Sequence, residues 1–167
     1  MKQGLLEETS VFLLREGYTI KSLRQACFDL VARKDERVLL IKILEDANSL
    51  TKDSCNEMKK VSSYLNATPI IVAEKAGENL LDNVVYSRFG TYCVNFNTFK
   101  ASVQNNFPFV YSDHSGLSAL LQGSKLKDIR EKEGFSISSL ARRIGVSKRM
   151  VLKYESEKAN VGIGRAL

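Results

Sequence analysis

The sequence has few of the side chains that form metal sites or disulfide frameworks. Of its 167 residues, only one is a histidine and three are cysteines. The cysteines Cys27, Cys55 and Cys93 lie far apart and show no Cys-x-x-Cys spacing, so the sequence predicts no zinc site. An odd number of thiols is typical of a reducing cytoplasm, and each thiol is expected to be a small buried apolar residue. His114 lies in a polar cluster and is expected at the surface.

Long apolar runs are missing as well. No apolar stretch approaches the ~18 residues that a membrane-spanning helix needs. The first ten residues, MKQGLLEETS, contain acidic side chains where a signal peptide needs basic and apolar ones. We therefore expect a cytoplasmic protein with no membrane partner. With 44% hydrophobic and 26% charged residues, the chain has the balance of a globular protein with one domain or two small ones.

Positive charge is concentrated in the last third of the chain. Up to residue 115 there are 14 basic and 14 acidic residues, whereas residues 116–167 contain 11 basic and 5 acidic residues. The net charge of +6 therefore belongs to the last third. Between residues 134 and 154 no residue is acidic and five are basic: Arg142, Arg143, Lys148, Arg149 and Lys153. A local positive field of this kind is typical of proteins that bind a polyanion.

Within this basic region, residues 136–155 (SISSLARRIGVSKRMVLKYE) have the spacing of a helix-turn-helix. Their apolar positions recur at helical intervals, and these positions are Leu140, Ile144, Val146, Val151 and Tyr154. Ala141 stands where two crossing helices come closest, and Gly145 stands where the chain must turn sharply. Ser136 and Ser147 precede the two apolar runs, and serine is a preferred N-cap residue. An ordinary amphipathic hairpin would not need the alanine and the glycine at these places, so we favour the helix-turn-helix.

The segment 125–155 resembles the lambda repressor/Cro family of helix-turn-helix regulators. The resemblance rests on an apolar-rich first helix followed by L-A-x-x-x-G-V-S and V-x-x-Y-E. The whole chain resembles archaeal-type helix-turn-helix transcriptional regulators, in which this module follows a larger α/β domain. Ile137 stands where members often have a glutamine that contacts the DNA backbone, so one contact is expected to be absent. Met150 and Leu152 place unusual apolar bulk on the recognition helix.

The first part of the chain has the pattern of an α/β domain. Helical spacing predicts helices over residues 3–16, 51–66 and 96–104. Apolar stretches predict strands near Tyr18–Leu23, Cys27–Ala32, Val38–Leu44, Pro69–Ala73, Val84–Tyr86 and Tyr92–Val94. The charged connector 33–37 has hairpin length, which tells against a purely parallel sheet. We therefore predict a central mixed sheet flanked by helices.

This order of elements resembles the restriction-endonuclease-like fold of PD-(D/E)xK nucleases and archaeal Holliday-junction resolvases. The resemblance implies an acid on the second strand and an acid-x-lysine on the third. The two acids would bind a divalent metal that activates water, and the lysine would assist. Asp29 lies on the predicted second strand and Lys42 on the third, but Leu40 replaces the second acid.

Loss of one carboxylate should weaken Mg²⁺ binding severely, because this ion prefers hard oxygen ligands in octahedral geometry. Glu7, Glu8 and Glu45 are the candidate acids for compensation, and their spacing does not select among them. We therefore predict a non-catalytic domain with no metal and no cofactor. Asp29 and Lys42 are interpreted as vestigial candidates that form an ion pair on the strand face.

We predict an α/β domain over residues 1–115, a linker over 116–124 and a small all-α helix-turn-helix domain over 125–167. Within the linker, the stretch Leu117–Leu121 fits either a strand or a short helical turn. Helices are expected at 125–133, 137–144 and 148–155. A fourth helix is expected near Asn160, although glycines weaken it. Since related domains usually have a further helix, this domain is expected to be incomplete at its C-terminal end.

The predicted function is sequence-specific binding of double-stranded DNA in transcriptional control, by a homodimer. Helix 148–155 would enter the major groove. Lys148 and Arg149 would read base edges, and Lys153 would reach a base or a phosphate. The phosphate-contacting set is expected to include Ser136, Ser138, Arg142 and Arg143, with Ser147 at the start of the recognition helix. Met150 and Leu152 would meet thymine methyl groups or pack against further helices or a partner subunit, and packing is favoured.

Two other classes of function remain open from the sequence. One is a metal-dependent nuclease or DNA-junction-processing enzyme that uses the N-terminal domain. The other is an interaction protein in which the α/β domain dimerises and the helix-turn-helix is only a support. The sequence identifies no small-molecule effector.

Overall fold

A computed structural model describes residues 2–23, 26–113, 116–119 and 121–162. His114 therefore lies outside the described residues. The chain divides into two units, Met1–Pro108 and Phe109–Leu167. The division falls before residue 115, where the first domain was expected to end. The range 116–124, expected to be a linker, contains a strand and the beginning of a helix.

The first unit has the expected α/β composition. Its helices are α1 (Lys2–Arg15), α2 (Lys52–Leu65) and α3 (Phe96–Val103). Its strands are β1 (Thr19–Ser22), β2 (Leu30–Lys34), β3 (Arg37–Asp46), β4 (Thr68–Ala76), β5 (Glu78–Asn79), β6 (Val84–Arg88) and β7 (Thr91–Val94), and a 3₁₀ turn spans Ala47–Ser49. The three predicted helices are confirmed, and β5 is an additional short strand that the sequence did not indicate.

The sheet of the first unit is mixed, as predicted. Strands β1, β2 and β3 form an antiparallel meander, with Leu30 opposite Ile41. Strand β4 lies parallel to β3, and β7 lies parallel to β4. The sheet order is therefore β1-β2-β3-β4-β7-β6, with β5 paired to β4. The charged connector between β2 and β3 is a tight turn in which Asp35 has φ 52°, a conformation that Asp tolerates better than most residues.

Helices cover both faces of this sheet. Strand β3 is buried on both sides, because Leu40 packs against Met58 of α2 while its neighbour Ile41 is equally buried on the other face. On that other face, Phe12 of α1 and Phe99 of α3 meet edge to face, with ring centroids 6.3 Å apart. Full burial of one such side chain contributes about 1.5–3 kcal/mol to folding. This two-sided burial explains why residues 38–44 of β3 are apolar at every position except Lys42.

The buried cysteines have the expected role in the core. Cys55 and Cys93 are fully buried and belong to one apolar cluster, whereas Cys27 is half-buried. Burial raises the pKa of the Cys93 thiol to about 12. Cys93 therefore behaves as a small apolar residue and not as a reactive thiol.

The second unit contains the three expected helices and an additional small sheet. The helices are α4 (Gly123–Lys132), α5 (Ile137–Arg143) and α6 (Lys148–Glu155). The strands are β8 (Val110–Asp113), β9 (Gly116–Ala119) and β10 (Val161–Gly162), with β9 antiparallel to both of the others. The open choice at Leu117 is thus decided in favour of a strand.

The expectation of a fourth helix near Asn160 is wrong for residues 161 and 162. Val161 pairs with Ala119 of β9 and is 3% exposed. A β-branched residue followed by glycine has little helical tendency, and a neighbouring strand was present to bury the valine. The strand β9 lies about 40 residues away in sequence, so local spacing did not reveal this pairing.

No helix in the described ranges is long and apolar enough to cross a membrane.

Candidate nucleic-acid interface

The two helices of the predicted motif form with the expected caps and turn. The hydroxyl oxygen of Ser136 accepts a hydrogen bond from the backbone N–H of Ser139 at 3.1 Å and begins α5. Ser147 caps α6 in the same way, accepting from the N–H of Met150 at 3.2 Å. Between them Gly145 has φ 67°, a left-handed conformation that is strained for residues with a Cβ atom. Side-chain caps and this glycine determine where each helix begins and ends.

One side of the motif is buried against its neighbours. Helix α6 packs against both α4 and α5. Ala141 is 3% exposed, Val151 is fully buried and Tyr154 is 3% exposed. The small side chain at Ala141 lies in this buried contact, as its position in the motif predicts. The opposite side of α6 therefore faces away from the packed helices.

A buried ion pair connects α4 to the end of α6. The guanidinium of Arg130 donates to Glu155 at 2.5 Å and 3.1 Å, and it also donates to the carbonyl of Phe135 at 2.9 Å. Both charged side chains are less than one-tenth exposed. The hydrogen bond with Glu155 raises the pKa of Arg130. This pair holds the first helix of the unit against the last turn of α6.

The beginning of α4 lies very close to the end of α6. A Cβ atom on Gly123 would lie 2.4 Å from the carbonyl oxygen of Glu155 and 2.6 Å from that of Tyr154. The amide of Gly123 also donates to the Glu157 carboxylate at 2.9 Å. Only glycine permits this approach, because the obstructing atoms are backbone atoms.

The five basic residues of the motif are all exposed: Arg142, Arg143, Lys148, Arg149 and Lys153. In the part of the chain that the structure describes, none of them forms an ion pair with a carboxylate. The guanidinium of Arg143 lies over the Phe135 ring, 5.1 Å from its centroid. Ser138 is half-buried on α5, and Ser136 and Ser147 are exposed beside their caps. The arrangement therefore presents unneutralised positive charge from both helices.

The apolar residues of α6 have different environments. Met150 is half-buried, whereas Leu152 is 51% exposed. On an α-helix, Leu152 shares a face with Lys148 and Arg149, which precede it by four and three residues. The exposed face of α6 thus contains an apolar side chain between cations.

The predicted pair of Asp29 and Lys42 lies in the first unit, and the position of Asp29 differs slightly from the prediction. Asp29 lies immediately before β2 and not on it, since the strand begins at Leu30. Its carboxylate accepts a hydrogen bond from the backbone N–H of Ile43 at 2.8 Å, so it bonds to the neighbouring strand through its side chain. Lys42 lies on β3 as predicted.

Asp29 and Lys42 form the expected ion pair, at 3.6 Å, and each side chain is 15% exposed. The other oxygen of Asp29 pairs with Lys2 at 2.9 Å. Lys42 also donates to the carbonyl of Ala26 at 3.4 Å. The negative charge of Asp29 is therefore balanced within the first unit.

The residues at this position do not fit a divalent metal. Both oxygens of the Asp29 carboxylate already bond to a cation or an amide, and Leu40 is a fully buried apolar residue with no ligand atom. Among the described residues, no three His, Cys, Asp or Glu side chains come together in a way that would hold a metal ion. Glu7, Glu8 and Glu45 are all exposed.

Three features of the second unit were not predicted from the sequence. The Arg130–Glu155 pair joins residues that are 25 positions apart, so no local pattern marks it. The close approach at Gly123 is equally non-local. The position of Leu152 among the cations could have been found from helical periodicity, because Lys148 and Leu152 are four residues apart.

Comparison with known proteins supports both units. Residues 2–108 match the family model of the PD-(D/E)XK superfamily domain, and residues 126–167 match a helix-turn-helix model. The chain is 34% identical over 169 residues to a protein of Methanocaldococcus jannaschii, with 100% of this chain covered. It is 37% identical over 160 residues to one of Archaeoglobus fulgidus, with 93% covered. Both relatives bear the name "Putative HTH-type transcriptional regulatory protein".

A third relative, from Thermococcus kodakarensis, has the same descriptive name and is 32% identical over 171 residues, with 99% of this chain covered. The chain spans only about half the length of these curated relatives, with 53%, 52% and 54% of their lengths covered.

Proposed function

The chain belongs to the PD-(D/E)XK superfamily and continues into a helix-turn-helix domain, and we propose that it is a transcriptional regulator that binds double-stranded DNA sequence-specifically. The observation that carries this proposal is the exposed face of α6. This helix is capped and buried on one side, and its other side presents cations that have no carboxylate partner among the residues that the structure describes. Such a face is complementary to the major groove of a duplex.

Lys148 and Arg149 are proposed to contact base edges. They occupy the first turn of α6, the part of a recognition helix that reaches deepest into the groove. Lysine and arginine most often pair with the O6 and N7 acceptors of guanine. Lys153 lies one turn further along and is proposed to reach a base or a phosphate.

Arg142 and Arg143 are proposed to contact phosphates from the end of α5. Phosphate contacts orient the protein on the duplex without reading its sequence. Phe135 stacks beneath Arg143 and restricts its guanidinium, which reduces the freedom lost on binding. Ser136 and Ser138 lie at the start of α5, and Ser147 lies at the start of α6. All three are proposed to add hydrogen bonds to the DNA backbone.

The first unit is proposed to act without nuclease chemistry. Its Asp29 carboxylate is engaged by Lys2, Lys42 and the amide of Ile43, and the position of the second acid holds Leu40. Removal of the Asp29 carboxylate would leave the Ile43 N–H without its hydrogen bond and Lys42 without its ion pair. The role of this cluster is therefore proposed to be structural. The unit then serves in assembly or in sensing.

The chain is proposed to act as a homodimer in the cytoplasm. Helix-turn-helix proteins commonly bind two half-sites about one helical turn apart, so a dimer predicts a binding site with approximate two-fold symmetry. The three free thiols are consistent with a reducing compartment.

Selection of bound sequences from random duplex DNA with the full chain tests the proposal. The selected duplexes should share a common sequence. Gel-shift titration should show that affinity falls steeply as salt rises from 50 to 200 mM, because a protein with 6–10 phosphate contacts typically loses about 10³–10⁵-fold in affinity over this range. Binding that is absent or independent of salt would instead support an interaction protein. Incubation with Mg²⁺ or Mn²⁺ and linear or branched DNA should produce no cleavage, and cleavage that Asp29→Ala abolishes would support the nuclease alternative.

A further inference from the structure

Leu152 lies on the exposed face of α6. The buried side of this helix is marked by Val151 and Tyr154, which are fully buried and 3% exposed. Successive residues of an α-helix are turned by about 100°, so Leu152 lies about 100° from Val151 and about 160° from Tyr154. In angular position it lies between Lys148 and Arg149. Its 51% exposure agrees with this direction. Leu152 therefore belongs to the face that is proposed to lie in the groove.

Leu152 is not among the side chains of α6 that are buried in the described part of the unit. The contacts of α6 with α4 and α5 use the opposite side of the helix. A second copy of the chain is an unsuitable cover, because its own Lys148 and Arg149 would be brought against the same cations in a symmetric contact. A polyanion, in contrast, is attracted by the cations and can bury the leucine between them.

We propose that Leu152 makes an apolar contact with the 5-methyl group of one thymine in the bound site and thereby determines specificity for that base. This inference rests on the proposed function of α6. The thymine methyl is the apolar group that the major groove offers, and it distinguishes thymine from the other three natural bases. The cations on either side would hold the helix while Leu152 selects an A·T pair with the thymine on one particular strand.

The size of the effect follows from the buried methyl group. Burial of one carbon of this kind is worth about 0.8 kcal/mol, which corresponds to roughly fourfold in affinity. Loss of the methyl should therefore weaken binding by about fourfold at one position of the site. This is smaller than the loss of a bidentate contact to guanine, so the leucine refines the preference and does not create the affinity.

Replacement of thymine by deoxyuridine tests the contact directly, because it removes the methyl and leaves the base-pairing groups unchanged. The full chain is first used to select its site from random duplexes, and each thymine of that site is then replaced in turn. The wild-type chain should bind one of these duplexes about fourfold more weakly. Leu152→Ala should bind the duplexes with thymine and with deoxyuridine at that position equally. The effect of methyl removal in the wild-type chain minus its effect in Leu152→Ala measures the coupling between the leucine and the methyl group.

Ile129→Ala is the matched control, since Ile129 is also 51% exposed in the same unit but lies on α4. This variant should retain the fourfold thymine preference. The unfolding temperatures of both variants should remain close to that of the wild-type chain, because replacing an exposed leucine or isoleucine by alanine on a helix changes the free energy of unfolding little.

The inference is overturned if no deoxyuridine replacement weakens the wild-type chain, or if Leu152→Ala shows the same fourfold loss. Either result would leave the proposed function intact, since specific binding was needed to select the site. Failure to select any sequence would refute both the proposed function and the contact.

Discussion

The two charged clusters of this protein contain similar side chains in opposite situations. In the first unit, Asp29 and Lys42 are each 15% exposed, and Asp29 pairs with both Lys42 and Lys2. In the second unit, the cations of α5 and α6 are exposed and have no carboxylate partner among the described residues. The first cluster resembles a nuclease site in sequence position, and the second resembles an ordinary charged surface in composition.

The difference shows that neighbouring groups determine whether a charged side chain is available to bind a ligand. The Asp29 carboxylate is already engaged by two ammonium groups and an amide, which occupy three of its roughly four lone-pair sites. Exposed cations without partners keep their long-range field, which raises the local concentration of a polyanion. The same residue types are therefore paired inside one unit and exposed, without a carboxylate partner among the described residues, in the other.

The largest expected effect comes from the double change Lys148→Ala and Arg149→Ala. Each good contact to a base edge is worth about 1–3 kcal/mol of discrimination, so the variant should lose most of its preference for the selected sequence. Competition between specific and random duplexes measures this preference. The matched control is Lys52→Ala with Lys60→Ala, which removes two exposed lysines of α2. An equal loss in the control would mean that the first unit also contacts DNA, and the comparison would fail.

Gly123→Ala should disturb the framework that presents α6. The new Cβ would lie 2.4 Å from a backbone carbonyl oxygen, and overpacking of this kind costs about 1–3 kcal/mol. Amide hydrogen exchange should rise in α4 and α6, and DNA affinity should fall with it. Gly162→Ala introduces a Cβ with no atom within 4 Å and should leave exchange unchanged. Unaltered exchange in Gly123→Ala would show that the close approach is not required.

Asp29→Ala should destabilise the first unit and leave DNA binding in place. The change removes the acceptor of the Ile43 N–H and the partner of Lys42, and an unsatisfied group of this kind costs about 1–3 kcal/mol. Denaturant unfolding measures the loss. Asp29→Asn keeps an oxygen acceptor without the charge and should cost less. A stable Asp29→Ala variant, or a wild-type chain that Mg²⁺ stabilises strongly, would contradict a structural role.

Arg142→Ala should have the smallest effect of the four. Loss of one phosphate contact should weaken binding to all sequences and reduce the slope of log affinity against log salt by ~1. Sequence preference should not change, because phosphates do not report the base sequence. Titrations at several salt concentrations provide the slope, and Lys60→Ala in the first unit serves as the control. If the slope were unchanged, Arg142 would belong with the internally neutralised charges.

Much of this architecture was determined by local sequence. Ser136, Ser147 and Gly145 act within a few residues of their own positions, so the helix-turn-helix could be predicted with its caps and its turn. Apolar spacing equally predicted helices α1, α2 and α3 and the β2–β3 hairpin, because periodicity reports which face of an element is buried. The absence of an acid at Leu40 was also plain from the sequence.

Tertiary structure alone decided the contacts between distant residues. The sequence did not show that Asp29 would bond to Ile43 across the sheet, that Arg130 would pair with Glu155, or that Val161 would join β9 and not a helix. These outcomes depend on which groups meet after the chain has folded, and the energy of burying a charge or a β-branched side chain depends on the partner that it finds. Local helix and strand propensities depend only on residues near in sequence, so they do not identify a partner that is distant in sequence.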